Sequence, residues 1–351
     1  MRILVTGAAG FIGSAFVRLF RTLSPGPSPS EGGGEFRIAI LDALTYAGNL
    51  STISAELQDP SIVFYPGKIQ DPTVVEGILQ SERITHIVNF AAESHNDRSL
   101  LEAGSFIHTD VLGVYVLLEA ARKYKVERFV HVSTDEVYGS IDEGHFTEES
   151  PLQPNTPYSA SKAGGEMQVR SHVKAFKTPA VVTRGGNTYG PYQFPEKLIP
   201  FFITRLIDGK KVPLYGEGNQ VREWIHVDDH AGGILHVLRH GVDGETYNVG
   251  DKNERENRAV VQILLDELGR DWDLVKKIPD PRKGAHDKRY SMTTDKIQGI
   301  GWKPRVPFEQ GMRDTVRWYR EREDWWRPLV ATDDYKSFVG RFYGPSLGDD
   351  L

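Results

Sequence analysis

Residues 2–20 read RILVTGAAGFIGSAFVRLF, and this stretch decides the fold. Residues 2–6, RILVT, are a short apolar run without polar alternation, the pattern of a strand covered on both faces. Gly7, Gly10 and Gly13 follow as G-x-x-G-x-x-G, and FIGSAFVRLFRTL, residues 11–23, takes up a helical period. Strand, glycine turn and helix in that order open a doubly wound α/β fold. Glycine lets the backbone turn sharply there and come close to a pyrophosphate, whose charge the helix N-terminus favours.

Outward from this unit the alternation repeats. Apolar runs at 36–41, 61–65, 85–91, 128–133 and 180–184 predict further strands, and 72–81, 100–124 and 157–176 predict helices between them. Continuous apolar strands separated by helices mean a parallel, Rossmann-type sheet. The reading divides the chain into a dinucleotide-binding domain over 1–184, a smaller mixed α/β substrate lobe over 185–330 with some segments returning to the first domain, and a tail over 331–351. SPGPSPSEGGGE, residues 24–35, reads as an inserted surface loop. The second strand ends at Asp42, where an acid accepts hydrogen bonds from an adenosine ribose and repels the extra phosphate of NADP, so NAD is the expected cofactor.

Bulk properties narrow the function. The 351 residues carry a net charge of -6 and contain no cysteine. There is no basic face for nucleic acid, and disulfides and thiolate metal sites are excluded. No 18-residue apolar run or export signal is visible, so a cytoplasmic protein without a membrane span is expected. His226 and His230 in H-V-D-D-H have a spacing that can hold zinc, but the segment reads as structural and no metal is expected.

Two motifs carry chemistry. Tyr158 and Lys162 form Y-x-x-x-K on one face of a predicted helix, where a neighbouring ammonium favours the phenolate and makes a base of the tyrosine. HVSTDEVYG, residues 131–139, places Asp135 and Glu136 side by side where the fifth strand runs out. Two close carboxylates cannot both ionise cheaply in a dry site, so one keeps its proton and the pair supplies an acid and a base.

TGAAGFIG, LDALTYAGN, NFAAESHNDRS, STDEVYG, YSASKAGGE, NTYGPYQFPEKLIP and PLYGEGNQVREWIHVDDH together resemble the nucleoside-diphosphate-hexose 4,6-dehydratases of the extended short-chain dehydrogenase/reductase family, from residue 1 to about 326. The resemblance implies oxidation at C4 of the sugar, loss of water across C5 and C6, and hydride return to C6, with dTDP-glucose the favoured substrate. It implies that Thr134 holds the C4 oxygen, Asp135 protonates the leaving hydroxyl and Glu136 removes the C5 proton. Tyr158 would deprotonate the C4 hydroxyl, with Lys162 lowering its pKa. NAD would be held by Gly7, Gly10, Phe11, Ile12 and Gly13, by Asp42, Leu44, Thr45 and Ile69, and by Ala91, Ala92, Ser94 and Thr109 together with Tyr158 and Lys162. Asn187 and Arg222 would bind the diphosphate, with Asn257 a further candidate, Glu196, Lys197 and Leu198 would line the nucleotide base with Pro213 and Tyr215 beside it, and His95 would lie near the hexose with Thr134.

Relatives divide at the acid pair. Nucleotide-sugar 4-epimerases and decarboxylases of the same family usually lack Asp-Glu after the Ser/Thr, and a non-catalytic NAD-binding protein would be expected to have lost Tyr158, Lys162 or the TDE triplet. Several positions depart from the family pattern: Lys68 stands in place of Asp near adenine, Asp110 in place of Asn, Thr188 in place of Asn, and Glu256 in place of Thr. An extra residue between Gly284 and His286 disturbs the assignment of Arg282 and His286. By resemblance the chain is expected to form a homodimer through helices 99–123 and 157–176.

Overall fold

The computed structural model describes residues 1–23, 36–282, 284 and 286–348; the loop expected at 24–35 and the extra residue before His286 lie outside the described residues. Six parallel strands, β1 (Arg2–Thr6), β2 (Arg37–Asp42), β3 (Ile62–Pro66), β4 (His86–Asn89), β5 (Arg128–Thr134) and β6 (Ala180–Gly185), form one sheet. The order is β3-β2-β1-β4-β5-β6, with Thr246–Val249 added beside β6 as a seventh strand, also parallel. Residues 38–41 of β2 are fully buried on both faces, which is why the strand reads as an unbroken apolar run. The chain moves outward from β1 to β3 and restarts at β4 on the other side of β1, pairing Ile3 with both Ile38 and His86. That reversal opens a crevice at the carboxyl ends of β1 and β4.

Helix Val227–His240 packs on helix Phe11–Leu23, so the second half of the chain returns to the sheet here. The smaller lobe combines a three-stranded sheet, Glu254–Glu256, Val221–His226 and Asn187–Tyr189, with a parallel pair, Val212–Tyr215 and Val275–Ile278. Its core gathers Phe201, Leu264, Met312 and Trp326.

Two expectations are corrected. Residues 331–351 are not a simple tail: Asp333–Leu347 is a helix, started by Thr332, whose hydroxyl accepts from Tyr335 N at 3.3 Å. Tyr335, Phe338, Val339, Tyr343 and Leu347 are buried in the second core, an apolar stripe at helical spacing that was legible in the sequence. The helix expected over 100–124 is interrupted. Asn96–Leu101 ends at Glu102, whose extended backbone (φ -152°, ψ 111°) stops it, and the chain resumes at Gly104 and passes through a π-helical stretch, Ile107–Gly113, before Val114–Lys123. Such widened turns recur at functional sites.

One buried ion pair fastens the catalytic-motif helix, Pro157–Phe176, to the sheet. Arg184 of β6 donates to both carboxylate oxygens of Glu166, from Nε at 3.1 Å and Nη2 at 2.6 Å, and its Nη1 donates to Tyr138 Oη at 2.7 Å. Removing one partner strands the other charge in the core, so Arg184→Ala is expected to cost about 3–5 kcal/mol. Urea denaturation followed by circular dichroism measures it, and a loss under 1 kcal/mol, about the value of a surface pair, would contradict this account.

Candidate active site

A single cavity of about 850 Å³ runs from the glycine turn across the carboxyl ends of β4 and β5 into the smaller lobe. At its first end Gly7 has φ +69°, and a Cβ there would lie 2.6 Å from Ala91 N, so no side chain fits between the turn and the loop after β4. Gly10, Phe11, Ile12 and Gly13 line this end, at the start of helix Phe11–Leu23. Asp42 Oδ2 accepts from Ala9 N at 2.9 Å and Oδ1 from Leu44 N at 2.8 Å. Burial raises its carboxyl above the usual range, with these two bonds opposing the rise. A side-chain-free turn, a helix start and a fixed strand-end acid fit a dinucleotide, with lone pairs left on Asp42 for a ribose.

Thr45, Ile69, Ala91, Ala92, Ser94, Thr109, Tyr158 and Lys162 also line the cavity. Leu44 does not. Its backbone sits at φ +49°, its side chain is exposed, and only its amide takes part, through Asp42. Lys68 lines the cavity as an exposed side chain on this side. Thr188 Oγ1 pairs with His230 Nδ1 at 2.7 Å, and both residues line the cavity. Glu256 is exposed and lies outside the lining. In H-V-D-D-H, His226 accepts from Asp228 N at 3.3 Å and Asp229 accepts from the amides of Arg305 and Val306.

The acid pair owes its place to a cap. Thr134 ends β5, and its Oγ1 accepts from Glu136 N at 3.2 Å, starting a single turn, Asp135–Tyr138, that Gly139 closes at φ +82°. This turn puts two neighbouring carboxyls into one cavity although adjacent residues of a strand point apart. Their surroundings differ. Asp135 is 3% exposed, accepts from Thr134 Oγ1 at 3.2 Å, and its Oδ2 has no partner. Burial, then Glu136, then Glu223 push it well above the usual carboxylate range. Burial raises Glu136 too, but Arg282, Lys197 and Arg222 oppose the rise, and its Oε2 accepts from Asn96 Nδ2 at 2.6 Å. This difference in surroundings favours the proton on Asp135 over Glu136.

Tyr158 and Lys162 stand where the motif predicts, on a helix started by a reciprocal cap between Thr156 and Ser159 with Pro157 at its first position. Burial, Glu136 and Asp110 push Tyr158 well above its ordinary value, with only a Thr134 hydrogen bond lowering it among the main causes, and Lys162 Nζ donates to Val132 O at 2.8 Å.

His95, Asn187, Glu196, Lys197, Leu198, Pro213, Tyr215, Arg222 and Asn257 all line the cavity as well. Burial, then Lys197, lowers His95 to about 3, so it is neutral; its Nε2 lies 3.1 Å from Glu196 O and its Nδ1 is unpartnered. Arg222 spends three N–H donors on the carbonyls of Val221, Lys288 and Asp287, leaving two for a ligand. Asn96 and Tyr343 escaped the sequence reading, and Arg282, whose assignment the extra residue disturbed, lines the cavity with them. Asn96 holds Glu136, Arg282 Nε donates to the buried Asp97 at 2.6 Å, and Tyr343 reaches the cavity from the C-terminal helix, accepting from Tyr215 Oη at 3.2 Å. The apolar period of 335–347 signalled the helix; nothing local signalled that it would form a wall of the cavity.

The pattern of the family described as GDP-mannose 4,6 dehydratase matches residues 4–315. A dTDP-glucose 4,6-dehydratase of Streptomyces niveus is 46% identical over 336 residues, 95% of this chain and 97% of that one. The crystal structure of a dTDP-glucose 4,6-dehydratase from Streptomyces venezuelae with NAD bound superposes with a TM-score of 0.88 at 48% identity, covering 94% of this chain and all of the other. A UDP-glucose 4-epimerase of Thermus thermophilus, also with NAD, superposes at 0.81 with 30% identity over 92% of this chain and all of the other, so the fold alone does not separate the two activities. With the family pattern spanning most of its length and these relatives aligned almost end to end, the chain belongs to the GDP-mannose 4,6 dehydratase family.

Proposed function

We infer that the chain is an NAD-dependent hydro-lyase that converts dTDP-glucose to its 4-keto-6-deoxy product. The observation that carries this reading is the cavity holding Asp135 and Glu136 beside Tyr158, both raised by burial, with acids adding to the rise at Asp135 and cations opposing it at Glu136. The printed activity of the relatives and the cofactor in the solved neighbours support it. NAD, when bound, accepts the C4 hydride and gives it back to C6. Tyr158 takes the C4 hydroxyl proton, and Thr134 holds that oxygen. With C4 a ketone the C5 hydrogen is acidic; Glu136 removes it, Asp135 protonates the C6 hydroxyl, and water leaves. Hydride return to C6 and a proton to C5 complete the product. Lys197, Arg222 and Arg282 bring positive charge to the end that receives the diphosphate, and they also favour ionised Glu136.

Incubation of the purified protein with dTDP-glucose and no added NAD tests the reading. A product lighter by one water, made catalytically, supports dehydration and retained cofactor together. A product of unchanged mass indicates the epimerase chemistry of the more distant neighbours and rejects the dehydratase.

A homodimer belongs to the same reading. Ile107, Leu112 and Tyr115 on one helix and Met167 and Phe176 on its packed neighbour are exposed apolar side chains, a surface that a second copy would cover. Ile107→Lys is expected to shift the protein from dimer to monomer in light scattering after size exclusion; a parent chain that already elutes as monomer rejects it. Action in the cytoplasm is part of this reading, and the cysteine-free composition is compatible with it.

A further inference from the structure

Asp110 is a buried acid that the mechanism above does not use. It lies in the π-helical stretch, 1% exposed. Its Oδ2 accepts from Ser161 Oγ at 2.6 Å and its Oδ1 from Glu93 N at 3.0 Å. Ser161 is three residues after Tyr158 and one before Lys162, and its hydroxyl lies 2.8 Å from Tyr158 O. Gly165 belongs to the same face, three residues beyond Lys162, and a Cβ there would lie 2.5 Å from Asp110 O. The widened turn and the missing side chain therefore let a carboxylate press against the face of the helix that carries Tyr158 and Lys162. Asparagine could fill this space with one acceptor and no charge.

We propose that Asp110 is the counter-ion of the Tyr158–Lys162 pair, a positioning residue that clamps the catalytic helix to the loop after β4 and sets the pH range in which the pair works. The inference rests on the dehydratase reading. The charged and titratable groups around it are Lys162 and Tyr158 on the facing helix, Glu93 on the loop, and His131 on β5, whose Nε2 would lie 3.2 Å from a Cβ at Gly165. Burial raises Asp110 to about 6, against Lys162 and the Ser161 hydrogen bond, so it is ionised at neutral pH. Its charge acts in the same sense on both partners. Burial lowers Lys162 and Asp110 raises it again, while Asp110 adds to the rise of Tyr158. Both members of the pair thus titrate at higher pH than they would beside a neutral residue.

Asp110→Asn is the test, read by the pH dependence of the rapid absorbance change that reports C4 oxidation in the holoenzyme mixed with dTDP-glucose. Parent enzyme turning this substrate over, measured alongside, separates failure of the proposal from failure of the reading beneath it. Both limbs of the profile are expected to move to lower pH by about one unit, with the maximum rate within a fewfold of the parent. Asp110→Ser, neutral and smaller, must move them the same way and serves if the asparagine variant does not fold. Ser161→Ala removes one hydrogen bond but keeps the charge, so it should leave the limbs in place. Neutral variants with parental limbs, whatever their stability, overturn the proposal, because a residue that only packs changes stability without moving a titration.

Discussion

Glu136→Gln is expected to lower turnover of dTDP-glucose on the order of 10³-fold, because a positioned general base contributes about 10²–10⁴-fold. The substitution keeps the shape and the bond from Asn96 Nδ2 to the side-chain oxygen, and removes only the capacity to take the C5 proton. C4 oxidation precedes that step. Mixing the variant with substrate should therefore still give the near-ultraviolet absorbance of reduced cofactor, now persisting instead of decaying. Turnover at the parental rate would remove Glu136 from the mechanism. The companion Asp135→Asn loses the proton donor and should slow the same stage, again with reduced cofactor accumulating. The parent should lose activity in acid as Glu136 takes up a proton and in alkali as Asp135 gives its own away, the order that their unequal surroundings impose.

Tyr158→Phe should act one stage earlier. Its loss is expected to cost on the order of 10²–10⁴-fold, with no absorbance of reduced cofactor at any time after mixing. The phenol stands half-buried beside Thr134 and Glu136, and its acidity is already suppressed by burial and by the acids around it. No other described side chain has been given the C4 proton, so the block should fall before elimination. NAD retention, measured by releasing and quantifying the cofactor, should match the parent. If reduced cofactor still forms rapidly, another group takes the C4 proton and Thr134, buried at the end of β5, becomes the residue to test.

Much of this was legible residue by residue. The strand at 2–6, the helices at 11–23 and 72–81 and the helix over 157–176 stand as their periods and caps predict. Local signals sufficed there: Asp71 and Thr156 both accept backbone hydrogen bonds at helix starts, and each precedes a proline. The long helix failed at Glu102 because extended backbone at one residue leaves no trace in an apolar period. Residues 333–347 differ for the opposite reason, since the apolar period of a helix is present in their sequence.

The sequence by itself determined the parallel sheet, the glycine turn facing a dinucleotide, and the presence of an acid pair and a tyrosine–lysine pair at strand and helix ends. These depend on spacing and turn chemistry within a few residues, which a chain states directly. Only the tertiary structure decided which acid is the more strongly biased toward its protonated form. Lys197, Arg222 and Arg282 come from three distant segments to oppose the rise of Glu136, while Glu223 adds to the rise of Asp135. It also decided that Tyr343 forms part of the cavity and that Asp110 lies against the catalytic helix. Desolvation and Coulomb interaction act through space between residues far apart in sequence, so no local pattern carries them.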